Sequence, residues 1–134
     1  MAASIASSPG LPEGAASRGG ERPIRVLCLG NDLIADDALG IVVARELCRR
    51  LATAATALPA GAAFDPAATM RSFDHPSAGL VEVVETALTG MYLLEAVTGA
   101  ARLIVVDTVV TGSAPPGTVD VLGEADFAAR HHGK

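Results

Sequence analysis

The sequence predicts an α/β fold with three layers, in which helices cover both faces of a largely parallel, twisted sheet. Short apolar runs that end in turn residues alternate with segments whose apolar residues recur at helical spacing. These runs are apolar throughout, as in parallel strands that are buried on both faces. At 134 residues, the chain is long enough for one domain with a single core.

The first strand and the first helix follow a tail. Residues 1–22 are rich in Ala, Ser, Gly and Pro without periodicity, which predicts a disordered N-terminal tail. The run IRVLCL at 24–29 stops at a Gly-Asn pair, which is typical of a buried strand that ends in a turn. Residues 39–51 predict a helix, and Asp36 and Asp37 precede it where a helix N-terminus favours acids.

The ordered domain is expected over residues 23–134, with a mobile insertion at about 52–79. That stretch has many alanines, three prolines and no sustained pattern, and such long structureless stretches are unusual inside a compact domain. A second strand is predicted at 80–85. It is followed by a helix at 91–97, with Gly99 as its C-terminal cap.

The remaining elements are two strands and a short helix. The run RLIVVD at 102–107 is the clearest buried strand, and Pro-Pro-Gly then turns the chain into a strand at 118–122. Residues 124–130 predict a short helix.

Composition excludes several classes of protein. A net charge of -5, no tryptophan and a single tyrosine argue against nucleic-acid binding. No apolar run approaches the ~18 residues that cross a bilayer, and the N-terminus does not resemble a secretory signal. Cys28 and Cys48 lie in apolar periodic segments, which indicates buried, unpaired thiols. The sequence therefore predicts a cytoplasmic protein with no membrane or nucleic-acid partner.

Carboxylates follow the predicted parallel strands at their carboxyl ends, where open α/β sheets bind ligands. Asp36 and Asp37 follow the first strand, Asp107 ends the third, and Glu85 at the end of the second is a weaker member. Clustered acids repel a phosphate and suit a cation. The alternatives stay open, since Asp36 could only cap the helix, Asp37 could only complement its dipole, and Asp107 could only cap a turn. Three histidines in loop or tail segments are interpreted as solvated: His75, His131 and His132.

Three ordered blocks resemble the hydrogenase maturation proteases. The first is VLCLGNDLIADDALG at 26–40, in which a strand runs into Gly-Asn and then paired acids before a glycine. The second is VEVVE at 81–85 with TGM at 89–91 and the leucines that follow. The third is LIVVD at 103–107, followed by a Pro-Gly-Thr.

The resemblance implies a peptidase. Enzymes of this family remove a C-terminal extension from the nickel-loaded large-subunit precursor of nickel–iron hydrogenase, which is the implied partner. They recognise the nickel carried by that precursor through two carboxylates and a histidine. By position the carboxylates are Asp37 and Asp107. The resemblance names no catalytic residue of this chain and no resident cofactor.

The chain departs from the family pattern at several points. Cys28 stands where a glycine is common, and Glu85 begins a segment that replaces an Asp-Gly-Gly turn. The histidine ligand, the last strand and the closing helix would lie beyond Lys134. The resemblance therefore implies a C-terminally truncated member, whose sheet is incomplete at the C-terminus, whose fold is marginal and whose activity is low. Two other hypotheses remain: an inactive remnant that binds metal or precursor, and an unrelated α/β module that binds a small ligand.

Overall fold

In a computed structural model, residues 2–7, 21–31, 38–59, 67–109 and 112–132 are described. In these ranges the chain forms one mixed sheet of seven strands in the order β3-β4-β5-β2-β6-β1-β7. The elements in chain order are β1 Ala2–Ser7, β2 Ile24–Leu29, α1 Leu39–Ala54, β3 Thr56–Ala57, β4 Ala68–His75, β5 Gly79–Thr86, a 3₁₀ turn Gly90–Leu93, α2 Leu94–Val97, β6 Arg102–Asp107, β7 Asp120–Gly123 and α3 Glu124–His132. The predicted α/β class is confirmed.

The centre of the sheet is parallel. Strand β2 lies between β5 and β6 and runs parallel to both. The connection from β2 to β5 and the connection from β5 to β6 cross the sheet in opposite directions. Because parallel crossovers are right-handed, opposite directions put α1 and α2 on opposite faces. The strand order therefore reverses between β2 and β6, and the carboxyl end of such a reversal is where open α/β sheets bind ligands.

The sheet as a whole is mixed, so the expectation of a largely parallel sheet is not confirmed. Strand β4 runs antiparallel to both β3 and β5, and β1 runs antiparallel to β6. These pairings match in number the parallel ones, which join β2 to β5, β2 to β6 and β1 to β7. The physical reason is the hairpin of β4 and β5, which puts an antiparallel neighbour on the outer side of β5.

Strand β4 corrects the prediction of a mobile insertion at 52–79. Helix α1 continues to Ala54, and the eight residues of β4 pair along the whole of β5. The hairpin turn is closed by His75, whose Nδ1 accepts hydrogen bonds from the backbone N–H of Ser77 at 3.2 Å and of Ala78 at 3.1 Å. Gly79 has φ +75°, a conformation that favours glycine. Residues 60–66 of the expected insertion lie outside the described ranges.

Strand β1 lies within the segment predicted to be a disordered tail. Ala2–Ser7 pairs with β6 on one side and with β7 on the other. A run of alanine and serine has no strand propensity to mark it in the sequence. Residues 8–20 of the expected tail lie outside the described ranges.

Two apolar clusters hold the sheet, one on each face. The cluster under α1 consists of Val26, Cys28, Ala44, Cys48, Phe73, Val83 and Val106. The cluster on the opposite face consists of Leu27, Ala68, Val84 and Ala96. Both cysteines are buried and free, as the sequence predicts. None of the helices in the described ranges has the length and apolar composition that a membrane crossing requires.

Arg25 fastens the short helix α2 to the sheet. Its Nε donates to Glu82 Oε2 at 2.8 Å, and its Nη1 donates to the carbonyl oxygens of Ala96 at 3.0 Å and Thr98 at 2.6 Å. Only 12% of the Arg25 side chain is exposed. A cation at a helix C-terminus satisfies carbonyls that have no partner within the helix. A four-residue helix cannot persist alone, so α2 depends on this guanidinium and on the burial of Ala96 in the apolar cluster.

Candidate functional site at the carboxyl edge of the sheet

The carboxyl edge, formed by the C-terminal ends of β2, β5 and β6, carries one of the two predicted metal ligands. Asp107 ends β6, and its neighbour Val106 pairs with Cys28 of β2, so Asp107 is level with the end of β2. The side chain is exposed, and its Oδ1 accepts a hydrogen bond from the Thr108 backbone N–H at 2.8 Å. Asp107 therefore stands at the carboxyl edge where the strand order reverses between β2 and β6.

The other predicted ligand, Asp37, lies outside the described residues, as does Asp36. The approach of the Asp37 and Asp107 carboxylates to each other accordingly stays a prediction. Asn31 and Ala38, which flank this segment in the chain, are both described. Ala38 occupies the N-cap position of α1, and its own side chain makes no capping bond.

Gly40 brings the first turn of α1 against the end of β2. A β-carbon at this position would overlap the carbonyl oxygen of Leu29 and would lie 2.8 Å from its carbonyl carbon. Only glycine permits such an approach between backbones. The glycine that closes the first sequence block therefore has a structural role, which is to set α1 close to the carboxyl edge.

The end of β5 forms the second part of this edge. Thr86 is buried, and its Oγ1 donates to the Ala67 carbonyl oxygen at 3.4 Å and accepts from the Leu88 backbone N–H at 3.1 Å. The Thr86 carbonyl oxygen accepts a hydrogen bond from Gly30 N–H at 3.1 Å, which ties the turn after β2 to β5. Glu85 lies 3.8 Å from Arg45 of α1, measured between Oε1 and Nη2.

A cleft of about 140 Å³ opens at this edge. Its lining comprises Gly30, Asn31, Ile41, Arg45, Ala67, Thr69, Glu85, Thr86 and Ala87. Sequence reasoning identified Glu85 but missed Arg45. The available signal was helical spacing: Arg45 follows buried Ile41 by four residues and therefore shares its side of α1.

One further carboxylate that sequence reasoning missed shares the edge with Asp107. Ala2 of β1 is the register partner of both Asp107 and Asp120, so the two aspartates flank it on neighbouring strands. Two strand spacings of ~4.8 Å separate their backbones.

The described residues hold no group of three or more His, Cys, Asp or Glu side chains that could bind a metal by themselves. His75 is occupied in the β4–β5 turn. His131 and His132 lie in α3, but their side chains are outside the description. In this part of the chain, Asp107 is therefore the predicted ligand that can be examined.

The buried cysteines are unsuited to nucleophilic catalysis. Burial, followed by the charges of Cys48 and Glu85, raises the pKa of the Cys28 thiol to about 12. Burial also raises the pKa of Cys48, against a smaller opposing effect of Arg71. Because the thiolate is the reactive form, both residues are inert at neutral pH. This agrees with their interpretation as part of the core.

Comparison of the chain with protein-family models, with curated proteins and with solved structures finds no match in any of the three. The resemblance to the hydrogenase maturation proteases thus stays an interpretation of sequence motifs. The geometry of the carboxyl edge is the remaining guide to function.

Proposed function

We propose that this chain is an endopeptidase of the hydrogenase maturation type, which recognises a nickel-loaded large-subunit precursor in the cytoplasm and removes its C-terminal extension. The observation that carries the proposal is the position of Asp107. It ends a parallel strand beside β2, and the segment after β2 contains Asp37. In open α/β sheets this reversal of strand order is where ligands bind.

The position of Gly40 gives independent support. The first sequence block contains a glycine three residues after Asp37, and the contact between Gly40 and the Leu29 carbonyl explains why a larger residue is unsuitable there. Through this contact the start of α1 stays at the end of β2. Strand β6 ends at this same edge of the sheet, at Asp107.

The chemistry of two carboxylates suits a metal that arrives with its substrate. Nickel prefers nitrogen and sulfur donors, so a site made of carboxylate oxygens binds the free ion weakly. The same oxygens can complete the coordination of an ion that precursor thiolates already hold. In this proposal Asp37 and Asp107 test for the metal and orient the precursor, and the precursor's ion polarises a carbonyl or a water.

The decisive experiment is cleavage of a nickel-loaded precursor, followed by mass measurement of the product. Asp37→Asn and Asp107→Asn are each expected to abolish cleavage. Asparagine keeps the oxygen that accepts from Thr108 N–H, and loss of an acid relieves repulsion in the cluster, so the unfolding midpoint should hold or rise.

Glu95→Gln is the matched control. Glu95 is exposed on α2, away from the carboxyl edge, and uses only its backbone carbonyl in the contact with Arg25. This variant should cleave normally. If both aspartate variants also cleave normally, or if the wild-type chain leaves the precursor intact, the proposed function is wrong.

A further inference from the structure

A groove runs between α1 and β4 on one face of the sheet. Its open end is the 140 Å³ cleft at the carboxyl edge. A hollow of about 10 Å³ continues it inward and is lined by Ala44, Arg45, Cys48, Thr69, Arg71, Val83 and Glu85. The two spaces share Arg45, Thr69 and Glu85, so they form one continuous feature, which we call the α1–β4 groove.

The groove is locally positive in an acidic chain. Arg45 comes from the α1 wall and Arg71 from the β4 wall, while Glu85 of β5 lies on the floor between them. Two guanidinium groups face one carboxylate, whereas the whole chain carries a net charge of -5. A concave surface that opposes the overall charge is a feature of ligand sites.

The Arg45–Glu85 contact leaves Arg45 available to a ligand. The closest approach is 3.8 Å, and 60% of the Arg45 side chain is exposed. Exposed pairs of this kind contribute little to stability. A ligand carboxylate that accepted two parallel N–H bonds from the guanidinium would form a stronger contact.

We propose that the α1–β4 groove binds a carboxylate group at its open cleft, where the guanidinium of Arg45 holds it and the positive charge of Arg71, in the inner hollow, adds to the attraction. The Thr69 hydroxyl, on the β4 wall, is a further donor within the lining. The cleft admits a group the size of a short acidic side chain or a small organic acid. A cationic ligand is disfavoured because it would meet two guanidiniums for one carboxylate.

This inference does not rest on the proposed peptidase function. The groove lies on the β5 side of β2, whereas Asp107 lies on the β6 side. Carboxylate binding can therefore be measured without precursor or nickel, and its failure would leave the role of Asp107 untouched.

The test is titration of the full chain with succinate, followed by amide chemical shifts, with succinamide as the uncharged comparison. Succinate should shift residues of the groove and succinamide should not. Arg45→Gln should weaken succinate binding by roughly tenfold or more, the effect of losing a charged hydrogen bond. Arg71→Gln should weaken it by a smaller factor, because Arg71 contributes charge from the inner hollow. Arg50→Gln is the control, because Arg50 is exposed on the same helix and pairs with Glu46.

Glu85→Gln tests whether the groove prefers an anion or a cation. Removal of the floor carboxylate should tighten succinate binding if the groove takes an anion. Tighter binding of ethylammonium than of succinate by the wild-type chain, or succinate binding that both arginine variants leave unchanged, would overturn the proposal. So would the absence of binding by both succinate and a glutamate-containing peptide, in a chain that unfolds cooperatively.

A second arm distinguishes the source of the carboxylate. An acetylated tetrapeptide with one glutamate is compared with its glutamine counterpart and with succinate. If the glutamate peptide binds more tightly than succinate, the groove recognises an acidic side chain of a polypeptide. If succinate binds as tightly or more tightly, the ligand is a free organic acid. Equal binding of the two peptides, together with no succinate binding, refutes the carboxylate site.

Discussion

Replacement of Gly40 by alanine tests how closely α1 must approach the sheet. Two effects of opposite sign compete. Alanine stabilises a helix interior by about 1 kcal/mol relative to glycine. Its β-carbon, however, would overlap the Leu29 carbonyl oxygen and lie 3.2 Å from the Leu29 nitrogen, and neither backbone atom can move as a flexible side chain does.

The steric effect should prevail. Overpacking in a tight interior costs ~1–3 kcal/mol, and displacement of α1 would also disturb the cluster around Ala44 and Cys48. Because the overlap is with backbone atoms, we expect the upper part of that range, ~2–3 kcal/mol. Less the ~1 kcal/mol gained in helix propensity, the net loss is about 1–2 kcal/mol. For a chain of this size the unfolding midpoint should then fall by roughly 4–8 °C. The unfolding midpoint is measured by circular dichroism at 222 nm during heating.

Val42→Ala is the control for helix propensity, since Val42 lies on the exposed side of the same turn of α1. This variant should be neutral or slightly stabilising. A Gly40→Ala chain as stable as the wild type, or more stable, would refute the argument that backbone contact requires glycine at this position.

Two further predictions concern charge and protonation. Arg25→Gln should lower the free energy of unfolding by roughly 2–4 kcal/mol, because Glu82 and the C-terminal carbonyls of α2 lose a largely buried partner. Urea unfolding measures this change, and a loss below ~0.5 kcal/mol would contradict the prediction. Since burial raises the pKa of Cys28 to about 12, its contribution to stability is fully present below the ~8.5 of an unfolded thiol and falls as the pH rises toward the folded value. Unfolding measured between about pH 8 and pH 10.5 should therefore show a downward slope that Cys28→Ala reduces, and identical slopes in the two chains would contradict the assignment.

The strands that sequence predicts best are those whose own residues dictate burial. The apolar, partly β-branched runs of β2 and β6 have the predicted bounds, 24–29 and 102–107. Strand β4 was missed because ATMRSFDH combines one buried aromatic, Phe73, with polar residues and has no sustained period. Its position depends on pairing with β5, and only the turn at Gly79 signals that pairing locally.

The same distinction, between local patterns and tertiary contacts, applies to the candidate site. Asp107 could be identified because a carboxylate at the end of an apolar strand is a local pattern. The groove could not, because Arg45, Thr69 and Arg71 come together only when α1 packs over a strand that the sequence did not predict. A site whose residues are brought together only by tertiary packing leaves no local pattern in the sequence by which it could be predicted.

The β4–β5 hairpin also bears on how the chain reaches its native state. The hairpin closes over the three residues 76–78, whereas the contact of Arg25 with Glu82 spans 57 residues and that of Arg22 with Ala100 spans 78. Hairpins form in ~1–10 μs, and the entropy of closing a loop grows with its length. The hairpin is thus expected to form first and to serve as a template on which β2 docks. Substitutions in its turn should slow folding, while substitutions in β6 should mainly accelerate unfolding.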